Sequence, residues 1–173
     1  MYLPVTLESR HYAKARLSAR QRLATGLLVH WQAGLGALRL GKAYHPLRTG
    51  DLLWLPADTL FALGASDDST FDCAWLSARL DLPMPEKLGL LTDPWLALTL
   101  DKAKSKQGEA RALLLRCLAL GLEGQKLKAL PAPLAWPAQG SLAPLALIEA
   151  GRQGRHQAGV DIDPRPLPLS PEG

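Results

Sequence analysis

The sequence has 173 residues, 47% of them hydrophobic and 21% charged, with a formal net charge of +4. A chain of this length and composition buries enough apolar surface for one folded domain, which excludes disorder along its whole length. No apolar run approaches the roughly 20 residues that cross a bilayer, and two cysteines are too few for a disulfide framework. We therefore expect a cytoplasmic protein that does not contact a membrane.

The basic residues do not form the concentrated stripe that is typical of a dedicated nucleic-acid binder. The densest basic stretch covers residues 10–22, and it is more typical of a solvated N-terminal arm or sheet edge than of a phosphate-binding patch. The net charge by itself therefore does not indicate DNA binding.

Short apolar runs separated by turn residues predict β-strands as far as Leu82. The runs cover residues 23–31, 37–40, 43–47, 52–55, 60–63 and 71–80. Close spacing of short strands is typical of a sandwich or barrel. Gly41 lies between two of these runs and indicates a tight hairpin, since glycine tolerates a positive φ.

After Pro83 the pattern becomes helical. Asp93 and Pro94 are typical of a helix start, so we predict a helix over residues 94–104. The spacing of apolar residues predicts a second helix over residues 108–122. A connector rich in proline and alanine then covers residues 128–140, and Ser141 is a candidate N-cap for a short helix over 142–151. The remaining tail, up to Gly173, carries several prolines and is predicted to be flexible.

The second helix carries more apolar surface than one packing contact requires. Such a face is either buried on two sides or shared with another subunit, and a homodimer is the expectation for the second case. The candidate dimerisation residues are Leu113, Leu114, Cys117, Leu118 and Gly121.

Patterns for catalysis are absent from the sequence. The histidines lack metal-ligand spacing, and no serine lies in a nucleophile elbow. Cys73 and Cys117 lie in apolar patterns, so both are interpreted as small core residues. We therefore predict no catalytic residue, no metal ligand and no cofactor.

Aromatic residues on separate predicted strands indicate where a ligand could bind. Inward-facing rings in a small barrel can line an apolar cavity, but they can equally fill the core. His30 and Gln32 could supply polar contacts to such a ligand. The candidate ligand-binding residues are therefore His30, Gln32, Trp54, Phe61 and Trp75. A ligand of this site is expected to be small and mostly apolar.

Residues 34–63 carry the most specific pattern. A glycine turn and a hairpin lead to Gly50-Asp51, an apolar strand at 52–55, and a turn that starts at Pro56. This order resembles the cupin barrel of AraC-type transcription regulators. The resemblance implies a mostly β α+β fold, namely a cupin-like β-barrel followed by an antiparallel helical pair, a linker and a short helix.

The resemblance also implies a domain organisation. Residues 1–82 would form the barrel, and residues 83–127 would form the helical dimerisation region packed on it. Residues 128–173 would form the linker, short helix and flexible tail that lead to an absent helix-turn-helix domain, through which alone DNA would be bound. The implied function is the effector-sensing and dimerising half of a bacterial-type regulator.

Metal-binding cupins carry an early His-x-His and a later histidine, and neither is present here. The early region reads Ser18-Ala19-Arg20-Gln21, Phe61 occupies the later position, and Asp58 replaces the turn glycine. Metal catalysis of the cupin-enzyme kind is therefore not expected. Two alternatives stay open: a stand-alone cupin isomerase or oxygenase with a metal on His30 and His45, and a dimerising scaffold whose barrel is fully packed.

Overall fold

Two antiparallel sheets pack face to face in the computed structural model, which describes residues 4–152 and 165–171. The strand order is β1-β9-β4-β7-β10 in the first sheet and β2-β8-β5-β6 in the second, where β3 also pairs with β8. The strands are β1 Val5–Tyr12, β2 Arg16–Leu17, β3 Gln21–Arg22, β4 Gly26–Ala33, β5 Gly36–Leu40, β6 Ala43–Leu47, β7 Leu52–Leu55, β8 Leu60–Ala65, β9 Ser69–Leu76 and β10 Gly89–Leu90.

The mostly β fold class with a following helical pair is confirmed, but the barrel is not closed. Among the described residues the strands form two sheets, in which β1 and β2 are edge strands. The predicted hairpin is present, with Leu40 opposite Ala43 and Gly41 at φ +60°. Asp58, at the position of the cupin glycine, also adopts a positive φ of 66°. The turn geometry is therefore kept without glycine.

Strand β1 is the largest element that the sequence pattern did not reveal. It pairs with β9 along its whole length, from Val5 opposite Leu76 to Tyr12 opposite Ser69. Arg10 lies in this strand and is only 8% exposed, so it does not belong to a solvated arm. Strand β10 extends the first sheet beyond the predicted boundary at residue 82.

The helices are α1 Pro94–Lys104, α2 Gly108–Leu120 and α3 Ala143–Arg152. The Asp93 side chain accepts a hydrogen bond from the Trp95 N–H, which confirms the predicted start of α1. A short 3-10 turn, Gly140–Leu142, precedes α3 and contains Ser141, so this serine is not the N-cap. Among the described residues, no helix combines the length and apolar character that crossing a bilayer requires.

Three hydrophobic clusters divide the molecule into layers. The central cluster lies between the two sheets and includes Val29 and Leu63. A second joins the outer face of the first sheet to α1 and α2, where Leu28 packs near Leu96. A third joins the outer face of the second sheet to α3 through Leu145. Because both faces of β4 are covered, six consecutive residues of this strand are buried.

Candidate functional site

The space between the two sheets is lined by aromatic rings. Phe61 and Trp75, two of the predicted ligand-binding residues, lie in this central cluster and are each 2% exposed. Trp31 and Phe71 stack there with ring centroids 4.6 Å apart. These rings pack closely against one another, so two of the five predicted residues lie in the core between the two sheets.

The other three predicted ligand-binding residues lie on the opposite face of the first sheet. His30, Gln32 and Trp54 point toward α1, α2 and the segment that precedes them. The Trp54 indole N–H donates to the carbonyl of Pro85 at 2.9 Å, and Trp54 packs in the cluster with the helices. The five residues therefore do not surround one cavity, because alternation along the strands places them on both faces of the sheet.

His30 and Gln32 belong to a polar network around Asp72. The Asp72 carboxylate is fully buried and accepts hydrogen bonds from the Ser9 hydroxyl at 2.6 Å, the Gln32 amide at 2.8 Å and the Lys104 ammonium at 3.0 Å. The Gln32 amide also lies 2.9 Å from His30 Nδ1. This network joins three strands of the first sheet to the last turn of α1.

His30, Asp72 and Asp101 have ligand atoms within 4.8 Å of one another, which is close enough to hold a metal ion. The Asp72 carboxylate, however, is already neutralised by Lys104 and hydrogen-bonded by two further donors. We therefore interpret the cluster as an ion-pair network. His45 lies in the other sheet, where its Nδ1 is 2.7 Å from the Pro131 carbonyl, so it does not join His30.

Charged residues line the inner face of the edge strand β1. Arg10 forms an ion pair with Glu8, with Nη2 and Oε2 3.0 Å apart, and its guanidinium lies 5.2 Å from the centroid of the Trp75 ring. Burial acts to lower the pKa of Arg10, but the hydrogen bond with Glu8 and the negative charge of that carboxylate act to raise it, and the pKa is raised overall. A permanent cation thus faces the rim of the space between the sheets.

Residues 165–171 lie at this rim. Leu167 and Leu169 belong to the central cluster and are each 1% exposed. The Trp75 indole N–H donates to the Leu169 carbonyl at 2.7 Å. The tail was predicted to be flexible along its length, but this part packs between the sheets; residues 153–164 and 172–173 lie outside the described residues.

The two cysteines have different environments. Cys73 is fully buried in the central cluster, and burial raises the pKa of its thiol to about 12. It is therefore a protonated core residue and no nucleophile at neutral pH. Cys117 was interpreted as a core residue, but it is exposed on α2, because the outer side of this helix faces away from the sheet.

The five predicted dimerisation residues also separate into groups. Leu113 and Cys117 are exposed, and Leu114 is partly buried against the cluster beneath α2. Leu118 is 1% exposed and packs on its own sheet. A Cβ atom on Gly121 would lie 2.4 Å from Cζ3 of Trp95, so this glycine permits close contact between α1 and α2.

Large apolar side chains are nevertheless exposed on the helical pair. Leu98 is 67% exposed, Leu113 58%, Leu120 49% and Trp95 46%. Residues 95 and 98 share one side of α1, and residues 113, 117 and 120 share one side of α2. We call these five residues the helical strip. It includes only two of the predicted dimerisation residues.

Comparison with known proteins identifies the family. The model of the AraC-like ligand-binding domain matches residues 3–125. A search of curated protein sequences finds no significant match.

Solved structures give only distant similarity. A cupin superfamily protein from Desulfitobacterium hafniense is 14% identical, with 44% of this chain and 71% of that chain covered and a TM-score of 0.41. KdgF from Halomonas sp. is 15% identical, with 47% and 76% covered and a TM-score of 0.40. An HTH_3 family transcriptional regulator from Vibrio cholerae is 14% identical, with 43% of each chain covered and a TM-score of 0.34. On the strength of the family model, which spans more than half of its length, the chain belongs to the AraC-like ligand-binding domain family.

Proposed function

We propose that the chain is the effector-sensing part of a cytoplasmic transcription regulator and that it binds a small, mostly apolar effector between its two sheets. The match to the AraC-like ligand-binding domain over residues 3–125 is the observation that carries this proposal. The aromatic lining of the intersheet space and the cation of Arg10 at its rim support it. An effector that prefers one conformation would shift the population and so change the regulator's output.

The ligand site is tested with two matched variants of β8. Ala65 faces the intersheet space and Ala62 faces α3, and both are almost fully buried. Ala65→Leu reduces the intersheet volume, whereas Ala62→Leu adds the same side chain on the other face of the same strand. We expect a panel of small apolar molecules to include one that raises the thermal midpoint of the wild type and of Ala62→Leu in a saturable way.

The same molecule should leave the midpoint of Ala65→Leu unchanged, because the added side chain occupies the ligand's space. A ligand whose effect is lost in Ala62→Leu and kept in Ala65→Leu would place the site elsewhere and contradict the proposal.

We also propose that the chain has no enzymatic activity. The described residues that could supply chemistry are engaged in structural contacts: Asp72 is bonded to Lys104, and burial keeps the Cys73 thiol protonated. Side chains engaged in this way are not available as the acid, base or metal ligands that a cupin enzyme needs. Stoichiometric metal in the purified protein, lost in His30→Ala, would overturn this proposal.

A dimerising scaffold with a packed interior is the second candidate. The observation that favours it is the position of Leu167 and Leu169, which fill part of the intersheet space. The two candidates differ in ligand binding, since a scaffold would show no saturable ligand effect in any of the variants above.

We propose further that the helical strip forms a homodimer interface. Contiguous exposed apolar surface of this kind is unusual on a monomer, and burying it between two copies removes it from water on both. The interface thus lies on the outer side of the pair, away from the sheet.

Sedimentation velocity tests the dimer. The wild type should sediment as a species of twice 18.7 kDa, and the double variant Leu113→Glu with Leu120→Glu should sediment as a monomer. Leu60→Glu is the matched control, because Leu60 is also exposed but lies in β8, outside the strip. A wild type that stays monomeric at all concentrations, or an equal effect of the control, would refute the interface.

A further inference from the structure

Residues 165–171 cross the gap between the two edge strands β1 and β2 in an extended form. Leu167 and Leu169 are buried, whereas Pro166 and Ser170 are exposed. This alternation directs the side chains of Leu167 and Leu169 into the intersheet space, as in a strand. The segment therefore closes the open side of the sandwich, which the sheets themselves leave without a paired strand.

Side chains of the two edges bind the carbonyl groups of this segment. On the β2 side, Arg16 donates to the Arg165 carbonyl at 3.4 Å and to the Pro166 carbonyl at 2.6 Å. On the β1 side, Arg10 donates to the carbonyls of Pro168 and Ser170. The Trp75 indole N–H, from the neighbouring strand β9, donates to the Leu169 carbonyl. The three side chains thus bind five of the six carbonyl groups of residues 165–170.

Backbone hydrogen bonds to the strands contribute little to binding of the segment. The Leu167 N–H donates to the Leu17 carbonyl at 3.2 Å, and this is the one backbone bond between the segment and a strand among the described residues. Pro166, Pro168 and Pro171 have no N–H to donate, so the segment does not extend the sheet. Removing it therefore leaves the strand pairing intact and frees a slot with apolar walls and several cationic or N–H donors.

We infer that this slot is a binding site for extended apolar ligands that carry oxygen acceptors, and that residues 165–171 are its tethered occupant. Two leucine side chains fill the apolar part of the slot, and carbonyl oxygens meet Arg10, Arg16 and Trp75. An effector that uses the same site must be an apolar molecule with a carboxylate or carbonyl group, and it must displace the segment. Only this last statement rests on the proposed function; the binding of the segment does not.

The proline content makes the segment a suitable occupant. Proline restricts the free chain to extended conformations, so less conformational entropy is lost on binding than for a flexible segment. A short tether raises the effective concentration of such an occupant to the millimolar range. The site is then mostly occupied even when the same segment, as a free peptide, binds weakly.

Binding of a free peptide tests the inference. The probe is a fluorescein-labelled, C-terminally amidated peptide with the sequence of residues 165–171, and the readout is fluorescence anisotropy. The double variant Leu167→Asp with Leu169→Asp of the 173-residue chain should release its own segment, because two carboxylates do not enter an apolar slot. We expect this variant to bind the peptide at least about 10-fold more tightly than the wild type, in which the tethered copy competes.

Two comparisons show whether the peptide occupies the slot. Trp75→Phe, added to the double variant, keeps an aromatic ring but removes the donor to the Leu169 carbonyl, and it should weaken peptide binding about 2- to 10-fold. Leu60→Asp adds a carboxylate at an exposed leucine that lies outside both the central cluster and the helical strip, and it should leave the peptide affinity at the wild-type value.

Equal peptide affinity in the wild type and the double variant would overturn the inference, and so would a lack of peptide binding by a folded double variant. Where circular dichroism shows that the double variant is unfolded, Leu169→Ala replaces it, with a smaller gain in peptide affinity expected from the same competition. These results need no effector, so failure to find an effector would contradict the proposed function and leave the peptide result intact.

Discussion

The ion pair between Asp72 and Lys104 gives the sharpest test of how the helical pair is attached to the sheet. Asp72 is fully buried, and Lys104 is the cation that contacts its carboxylate, at 3.0 Å. Lys104→Met replaces the lysine with an unbranched side chain of similar length that carries no charge. The Asp72 carboxylate then keeps the hydrogen bonds of Ser9 and Gln32 and loses its neutralising partner.

The expected cost follows from the geometry. Breaking a fully buried ion pair costs about 3–5 kcal/mol, and losing one hydrogen bond to a charged group costs about 1.5–3 kcal/mol. The Lys104 side chain is 31% exposed, so water screens the pair. The cost is therefore expected to lie in the lower of these two ranges, that of one hydrogen bond to a charged group. We expect Lys104→Met to lower the free energy of unfolding by about 2 kcal/mol, which shifts the urea midpoint by about 1 M.

A double-mutant cycle separates the pair from other effects. In the Asp72→Asn background no buried charge is left without a partner, so Lys104→Met should then cost well under about 1 kcal/mol. Lys102→Met is the matched control: Lys102 is exposed in the same last turn of α1, and its loss should change stability by no more than about 0.5 kcal/mol. All variants are compared at one protein concentration, because the proposed homodimer would contribute to apparent stability.

Additivity would refute this reasoning. If Lys104→Met costs the same, within about 0.5 kcal/mol, in the wild type and in the Asp72→Asn background, the ion pair does not stabilise the attachment of α1 to the sheet. A cost of Lys102→Met equal to that of Lys104→Met would have the same meaning, because it would assign the effect to the helix dipole.

Further predictions concern the thiols and one glycine. In the monomeric variant Leu113→Glu with Leu120→Glu, a thiol reagent should modify one cysteine, Cys117, before denaturation and both cysteines after it, since Cys73 is fully buried. The pKa of Cys73 is raised from 9.0 to about 12, so the thiol ionises at lower pH in the unfolded chain than in the folded one. The contribution of Cys73 to the free energy of unfolding should therefore be lost as the pH rises from about 9 to about 12. In urea titrations, a Cys73→Ala variant should lose less stability than the wild type over this pH range. Gly36→Ala would place a Cβ atom 2.6 Å from Cη2 of Trp31 and should cost about 1–3 kcal/mol, whereas Gly151→Ala meets open space and should not lower the urea midpoint. Equal midpoints for the two alanine variants would contradict the close packing at Trp31.

Elements that depend on neighbouring residues could be predicted from the sequence. The start of α1 follows from Asp93 and Pro94, because the cap bond and the fixed φ of proline act within one helical turn. The hairpin at Gly41 follows from the conformational freedom of glycine at a two-residue turn. Strand β1 was missed, since its inner face carries Glu8 and Arg10 where a buried strand usually shows apolar residues.

Which side of each strand and helix faces the core could not be predicted in the same way. Alternation along β4 separates His30 from Trp31, but both faces of this strand are buried, so the sequence pattern does not reveal which face lines the intersheet space. On α2 the apolar stripe is broad, and only packing against the sheet decides that Leu118 is buried and Leu113 exposed. The candidate ligand and dimer residues are therefore divided between the two faces of the sheet and the two sides of the helix.

The sequence by itself determined the family, the mostly β fold, the helical pair and most element positions, because these depend on local propensities and a short motif. The tertiary structure alone decided which residues meet: Asp72 with Lys104 beneath the helices, and Arg10 and Trp75 with residues 165–171 at the open side of the sandwich. The contacts at the open side join residues about 90 to 160 positions apart. No periodicity within a strand or helix records such pairs, since they arise only when the two sheets and the end of the chain pack together.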